Sequence, residues 1–227
     1  MRPEQKIKRM FEEIINVYDF FNDLFSFLLV RYWRRSAAKL IEKRTGMKIL
    51  DIGVGTGYLS KNVYESTKNL LYGVDITKKM ILKNQSELLK YSDPILGTAT
   101  DLPFRDGSFD FIVSSFTIRS FKEAGFDKVL KECNRILKDE GKIIFLDTAK
   151  PINPFFIAFF QVYFKIINFL GGLYNDPAYK WLTRSIMNLE LSYVNETLLK
   201  VFKNVRVYAL KGGIAFIWES KKLKIME

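Results

Sequence analysis

Near the start of the chain, apolar residues recur at three- and four-residue steps. Further on they gather into short unbroken runs. Between residues 4 and 44, Ile7, Met10, Phe11, Ile14, Tyr18, Phe21 and Phe25 fall at helical spacing. Leu28, Leu29, Tyr32 and Trp33 extend the apolar content, and Arg31, Arg34 and Arg35 flank it. This predicts helices that pack on a domain or act as a lid over a ligand, and the two roles are compatible. From residue 48 the pattern changes. Runs at 48–52, 70–74, 94–97, 109–114 and 142–146 read as buried strands, separated by helical stretches at 58–68, 78–90 and 126–137. Such alternation predicts a parallel sheet with right-handed crossovers. Lys138-Asp139-Glu140-Gly141 predicts a helix end and a turn before the fifth strand.

Residues 155–173 are very apolar, and their polar breaks Gln161, Lys165 and Asn168 share one helical stripe. A membrane-spanning helix needs about 20 mostly apolar residues. This stretch is borderline in length and has a lysine at its centre. An amphipathic helix inserted between the fifth and sixth strands is predicted, broken at Gly171-Gly172. Its excess apolar surface could line a groove for a substrate tail, cover a partner subunit, dip into lipid or be buried between sheet and lid. Residues 205–210 and 214–219 read as two closing strands joined at Lys211-Gly212-Gly213, and so short a connection requires an antiparallel pair. No internal repeat, low-complexity tract or linker interrupts the chain. It reads as one domain over 1–227: a helical lid (1–44), a core (45–150), a helical insertion (151–200) and closing strands (201–227).

The chemistry concentrates at Lys48 to Ser60, KILDIGVGTGYLS. A strand, a glycine loop and a helix follow one another. Glycines let the backbone turn tightly and let a ligand lie against it, and the amides at the next helix start add partial positive charge. A dinucleotide fingerprint requires G-x-G-x-x-G. Gly53, Gly55 and Gly57 are spaced G-x-G-x-G, which weakens the pyrophosphate reading. The next apolar run ends in Asp75, where a carboxylate at a strand end can accept both hydroxyls of a ribose. Asp51, the three glycines and Asp75 together resemble the S-adenosylmethionine site of a class I methyltransferase.

Composition narrows the chemistry further. The chain has 227 residues and 48% hydrophobic content, ordinary for one large α/β domain. It has no histidine, so the usual imidazole base and the commonest metal ligand are absent, and no metal is expected. A single cysteine, Cys133, excludes an internal disulfide and fits a reducing compartment. The net charge of +11 could serve nucleic acid or an anionic membrane surface. The basic clusters are only pairs, such as Arg34-Arg35, Lys78-Lys79 and Lys221-Lys222, so nucleic acid is not expected as a partner. Glu12 and Glu13 follow the basic start without a cleavage site, so no signal peptide is expected and a cytoplasmic location is. Peripheral membrane contact and a homodimer are both compatible with the sequence.

Several further stretches carry a more specific resemblance. Tyr18-Asp19-Phe20-Phe21-Asn22-Asp23 and Trp33-Arg34 resemble Y-D-x-x-N-D and W-R signatures. Residues 102–110, LPFRDGSFD, resemble L-P-F-x-D-x-S-F-D, and Phe116-Thr117-Ile118-Arg119-Ser120 resembles F-G-L-R-N. Residues 132–138 resemble E-x-x-R-V-L-K, and Gly171-Gly172, residues 178–182 and Gly212-Gly213-Ile214-Ala215 follow in order. From about residue 11 to 220 the chain is similar to the ubiquinone/menaquinone-biosynthesis C-methyltransferases. The resemblance implies a Rossmann-like class I fold: an α/β sheet of seven mostly parallel strands with an antiparallel C-terminal hairpin, an N-terminal lid and a helical insertion before the last two strands. It implies methylation of a demethylated prenyl quinol with S-adenosylmethionine as donor. Rival expectations are another apolar small-molecule acceptor, or a non-catalytic scaffold subunit of a quinone-synthesis assembly.

The same resemblance implies site residues. Asp51, Gly53, Gly55, Gly57, Ser60, Asp75, Ile76, Thr98, Ala99, Asp101 and Ser115 are expected at the cofactor. Arg119 is expected to steady a phenolate or position a water that takes the proton, and Tyr18 to reach the acceptor ring. Three positions depart from the family pattern. Thr98 replaces an aspartate that would contact the adenine end, with Asp101 as its candidate replacement. Tyr58 stands where aspartate is usual, and Ser120 where asparagine follows the arginine.

Overall fold

The computed structural model describes the backbone of residues 3–26 and 28–222, and their side chains except those of 3–4, 16–22, 24–25, 171–176 and 178–179. Seven strands form one sheet: β1 (Ile49–Ile52), β2 (Leu71–Asp75), β3 (Ser92–Leu96), β4 (Phe109–Ser115), β5 (Leu137–Thr148), β6 (Phe202–Ala209) and β7 (Ala215–Lys222). Their order is β3-β2-β1-β4-β5-β7-β6. The first five strands pair in parallel, and β7 pairs antiparallel with both β5 and β6. This is the predicted sheet, closed by the predicted antiparallel pair.

The strands are apolar on both faces because helices cover both. Successive side chains of a strand point to opposite faces. Ile49, Phe111, Ile144 and Ile217 therefore join one core with Trp33, Val63, Phe160 and Phe164. Their neighbours Leu50, Ile112, Phe145 and Trp218 join a second core with Val129, Leu130 and Leu198. The first core is roofed by α1 (Pro3–Phe25), α2 (Leu29–Ala38), α3 (Tyr58–Thr67) and α8 (Pro154–Met187). The second is covered by α6 (Ile118–Ala124), α7 (Phe126–Ile136) and α9 (Leu191–Leu199). Trp33 Nε1 donates to the Lys211 carbonyl at 2.8 Å, which ties α2 to the turn between β6 and β7.

Four local expectations differ from what forms. Predicted helix 78–90 is two pieces, α4 (Lys78–Lys83) and α5 (Gln85–Leu88). Asn84 leaves helical geometry at φ −133° and its Nδ2 donates to the Thr56 carbonyl of the glycine loop at 3.3 Å. The predicted turn at 138–141 lies inside β5. Leu137 already pairs with Phe109, and pairing resumes at Lys142 opposite Phe111, so 138–141 bulge outward with Glu140 at φ 67°. Helix α6 was not predicted. Finally, Gly171-Gly172 do not end α8, whose helical backbone continues through Pro177 to Met187. The element nevertheless folds back on itself. Thr183 Oγ1 donates to Asn168 Oδ1 at 2.9 Å, although a straight helix would separate them by roughly 22 Å. Proline and paired small residues are the usual causes of such a bend.

Candidate active site

In an open α/β sheet, ligands bind beyond the carboxyl ends of the strands, where the strand order reverses. Here the reversal lies between β1 and β4. The chain leaves β1 through Gly53, whose amide donates to the Val74 carbonyl at 2.7 Å. Gly53 has φ 74°, and a Cβ there would lie 2.3 Å from Thr117 Cγ2. Gly57 has φ 87°, and its Cβ would lie 2.6 Å from Leu88. A side chain at either position would be strained by the positive φ, and at Gly53 it would also run into Thr117. The Gly55 amide donates to Asp75 Oδ2 at 2.9 Å, and the Thr77 amide to Asp75 Oδ1 at 2.7 Å. Asp75 is thereby fixed with acceptor capacity remaining on both oxygens. Burial pushes its pKa up, and the Thr77 and Gly55 amides pull against that.

These groups enclose a cavity of about 130 Å³. Of the residues expected at the cofactor, Gly53, Gly55, Asp75, Ile76, Thr98, Ala99 and Ser115 line it. Asp51, Gly57, Ser60 and Asp101 are not among its lining residues. Gly57 shapes the loop from behind. Asp101 is exposed and pairs with Thr98 through an isolated antiparallel bridge, and Thr98 Oγ1 lies 2.9 Å from Thr100 Oγ1. The departures Tyr58 and Ser120 both face the cavity. Ile7 and Phe11 of α1 close it from above, which gives the N-terminal helix the place of a lid.

Asp51 sits at the back of the loop, 1% exposed. Its Oδ2 accepts from Ser60 Oγ at 2.7 Å, whereas its Oδ1 has no hydrogen-bond partner among the described residues. Burial pushes this carboxyl up to about 7, opposed by Ser60 and by the Arg34 charge. A buried carboxylate oxygen without a donor costs about 1–3 kcal/mol.

A second, apolar cavity of about 280 Å³ adjoins the first. Its walls come from α8 (Phe156, Phe160, Phe164 and Ile167), α2 (Val30 and Trp33) and Ile14 of α1. Arg119 is the one charged residue among its described lining residues. Arg119 is no surface residue: it is 6% exposed and pairs at 2.8 Å with Asp147, which is 0% exposed. Tyr18 falls in α1 at a position whose side chain lies outside the described residues.

Phe116 lines both cavities. It is a non-glycine residue at φ 61°, in the left-handed region, and its amide donates to the Leu146 carbonyl at 2.7 Å. Strain of this kind costs about 1–3 kcal/mol and persists where the surroundings over-determine it, often at sites of function. The Arg34 guanidinium lies over both the Phe116 and Tyr58 rings, 5.2 Å from each centroid. Arg34, Phe116 and Asp147 were not expected at the site. Arg34 and Phe116 stood inside quoted signatures. Asp147 ends an apolar run just as Asp51 and Asp75 do, and the same signal would have found it.

The Asp51 pKa sets a pH dependence. A folded-state value near 7, above the reference 3.8, means that folding favours the protonated form. Its stabilising contribution is complete below about pH 4 and is lost as pH rises through 7. Asp51→Asn removes that loss. Between pH 5 and 8.5, denaturant unfolding of the ligand-free protein should shift in favour of the variant, by up to about 1.4 kcal/mol per pH unit until pH 7. Parallel stability curves for the two proteins would contradict the assignment.

Comparison with known proteins agrees with this geometry. A solved S-adenosylmethionine-dependent methyltransferase from Thermotoga maritima, described as a possible histamine N-methyltransferase, superposes with a TM-score of 0.67 over 95% of this chain and 99% of that one. At 19% identity it is similar in fold alone. The chain is 34% identical to the ubiquinone/menaquinone biosynthesis C-methyltransferase UbiE of Geotalea uraniireducens, over 96% of this chain and 97% of the relative. It is 32% identical to a demethylmenaquinone methyltransferase of Staphylococcus aureus, over 93% and 91% of the two chains. The model of the ubiE/COQ5 methyltransferase family matches residues 1–222, and on that span the chain belongs to this family.

Proposed function

We propose that the chain is an S-adenosylmethionine-dependent C-methyltransferase that methylates a ring carbon of a demethylated prenyl quinol. The observation that carries this reading is the pair of cavities meeting at Phe116: one has a glycine loop and the Asp75 carboxylate, the other is apolar with a single buried cation among its described lining residues. Bound S-adenosylmethionine supplies a methyl group activated by its sulfonium. The residues fit that donor. Asp75 keeps acceptor capacity for ribose hydroxyls, Gly53 and Gly55 admit close backbone approach, and the buried Asp51 adds negative charge behind the loop. Thr98, Ala99 and Ile76 offer a mixed surface to a base.

The apolar cavity binds the acceptor ring and excludes water from it. Ring carbon becomes nucleophilic when a neighbouring hydroxyl ionises, and a fixed cation in a dry site favours that ionisation. Arg119 provides the cation. Its Nε and Nη1 each donate once, to Asp147 and Ser185, and its Nη2 has no hydrogen-bond partner among the described residues, so both Nη2 donors remain for the ring oxygen. Arginine stays charged and does not serve as the base. Alignment of donor and acceptor can supply roughly 7–11 kcal/mol of the barrier.

A prenyl tail outgrows the cavity, and α8 offers it a path. Phe155, Val162, Ile166 and Phe169 are 73%, 61%, 51% and 71% exposed and share one face. Phe160, Phe164 and Ile167 form the buried face. Phe159 is 48% exposed and also lines the cavity, so it stands at the mouth. No helix among the described residues is long and apolar enough to cross a membrane. The outer face of α8 therefore rests on an anionic bilayer peripherally, from the cytoplasmic side, aided by the +11 charge.

Methyl transfer from labelled S-adenosylmethionine to demethylated naphthoquinols and benzoquinols of graded prenyl length tests the substrate class, with RNA and a small amine as controls. A ring-methylated quinol is expected. Labelling of the amine or RNA alone would overturn the reading. In a flotation assay with anionic vesicles at low salt, the protein should float, and Phe155→Glu with Phe169→Glu should release it. Those substitutions should also raise KM for long-tailed quinols more than for short-tailed ones. Equal effects on both tails, with no flotation of the wild type, would remove the membrane role of α8.

A further inference from the structure

Asp147 closes β5, flanked by β4 and β7, and no part of it reaches solvent. A carboxylate in that position is costly unless it is paired and hydrogen-bonded. It receives three donors. Arg119 Nε donates to Oδ1 at 2.8 Å, the Thr148 amide to Oδ1 at 2.7 Å and the Arg119 amide to Oδ2 at 3.3 Å. Arg119 lies in the first turn of α6, where backbone amides lack partners within the helix. One carboxylate thus holds both the main chain and the side chain of the same residue. On the other side, Arg119 Nη1 meets Ser185 Oγ of α8 at 3.4 Å.

With Nε and Nη1 held, the guanidinium plane is fixed. It is also a partition. One side faces the apolar cavity. The other faces a separate pocket of about 290 Å³, lined also by Lys122, Glu123, Trp181, Arg184 and Ser185. The charged groups around the guanidinium are therefore Asp147 from β5, Lys122 and Glu123 from α6, and Arg184 from α8. Among the described residues only Asp147 forms an ion pair with it.

We propose that Asp147 is a positioning residue for methyl transfer, locking the Arg119 guanidinium as the wall between the two pockets and presenting its Nη2 donors to the acceptor's ring oxygen. This rests on the reading that the apolar cavity takes the quinol. The reaction needs that arrangement twice. As the ring hydroxyl ionises, its negative charge falls against a cation that cannot swing away. As the new carbon–carbon bond forms, the donor's carbon–sulfur bond breaks; the ring carbon then gives its proton to a solvent water, which restores aromaticity and returns the negative charge to the ring oxygen beside the same cation.

The test uses the full-length enzyme with S-adenosylmethionine and a short-tailed demethylated quinol. Asp147→Asn should keep donor affinity within about twofold and lower kcat about 10- to 100-fold. Its loss should be greatest at low pH, and should shrink for quinols whose hydroxyls are made more acidic by an electron-withdrawing substituent. Arg119→Ala should lower kcat about 10²- to 10³-fold, in the range seen when a charge-stabilising donor is removed. Adding Asp147→Asn to Arg119→Ala should cost nothing further, as expected of groups acting as a unit. That double variant leaves no unpaired buried charge, so it remains informative if Asp147→Asn alone fails to fold. Methylguanidinium should rescue Arg119→Ala and not the double variant. A loss uniform across pH and acceptors, or an independent penalty in the Arg119→Ala background, would reduce Asp147 to a structural role while wild-type activity stands. A wild type inactive on every quinol would overturn the proposal together with the substrate reading beneath it.

Discussion

The parallel pairing of β1 with β4 is the constraint on which the site depends. Ile49, Leu50 and Asp51 lie opposite Phe111, Ile112 and Val113, and from this pair the chain winds outward in both directions. A crevice at the carboxyl ends is the geometric consequence. Everything that can do chemistry is delivered to that edge by strand ends: Asp51 by β1, Asp75 by β2, Phe116 and Arg119 just past β4, Asp147 by β5. The same edge is where burying a carboxylate is most costly. Each of the three acids is stabilised differently, Asp75 by two backbone amides, Asp147 by an arginine and two amides, Asp51 by the Ser60 hydroxyl with the Arg34 charge nearby. The least satisfied of the three is the one left with acceptor capacity deep in the loop.

The sheet also explains why two cavities of different character adjoin. On one side the glycine loop and Asp75 give part of the wall backbone and a carboxylate. On the other, α8 and α2 supply aromatic and aliphatic side chains. Phe116 divides them, and its left-handed backbone is held by Leu146 behind and by the Trp33 ring and the Arg34 guanidinium around it. α1 spans both cavities, with Ile7 and Phe11 at one and Ile14 at the other, and Lys83 of α4 donates to the Ile15 carbonyl to hold it down.

Much of this was legible in the sequence because its signals are local. Apolar runs ending in an acid marked β1 and β2, and the glycines between them marked the loop. The C-terminal pair followed from a three-residue connection. What escaped depends on tertiary contacts. Nothing local shows that Asn84 prefers the Thr56 carbonyl to a helix, or that Arg119 meets Asp147. The Gly171-Gly172 signal was half informative: helical hydrogen bonding continues through it, while the element as a whole folds back so that Asn168 and Thr183 touch. The 155–173 stripe likewise resolved into two apolar faces, one buried against the sheet and one exposed, which no periodicity alone distinguishes.

The central claim is that donor and acceptor occupy separate, adjoining cavities with Phe116 between them. A crystal structure with S-adenosylhomocysteine and a short-tailed demethylated quinol bound together tests it most directly. The account predicts the ribose hydroxyls on Asp75 and the quinol ring in the α8–α2 cavity, with a ring oxygen on Arg119 and the tail passing Phe159. A quinol bound elsewhere, or a ring that leaves Arg119 untouched, would contradict it.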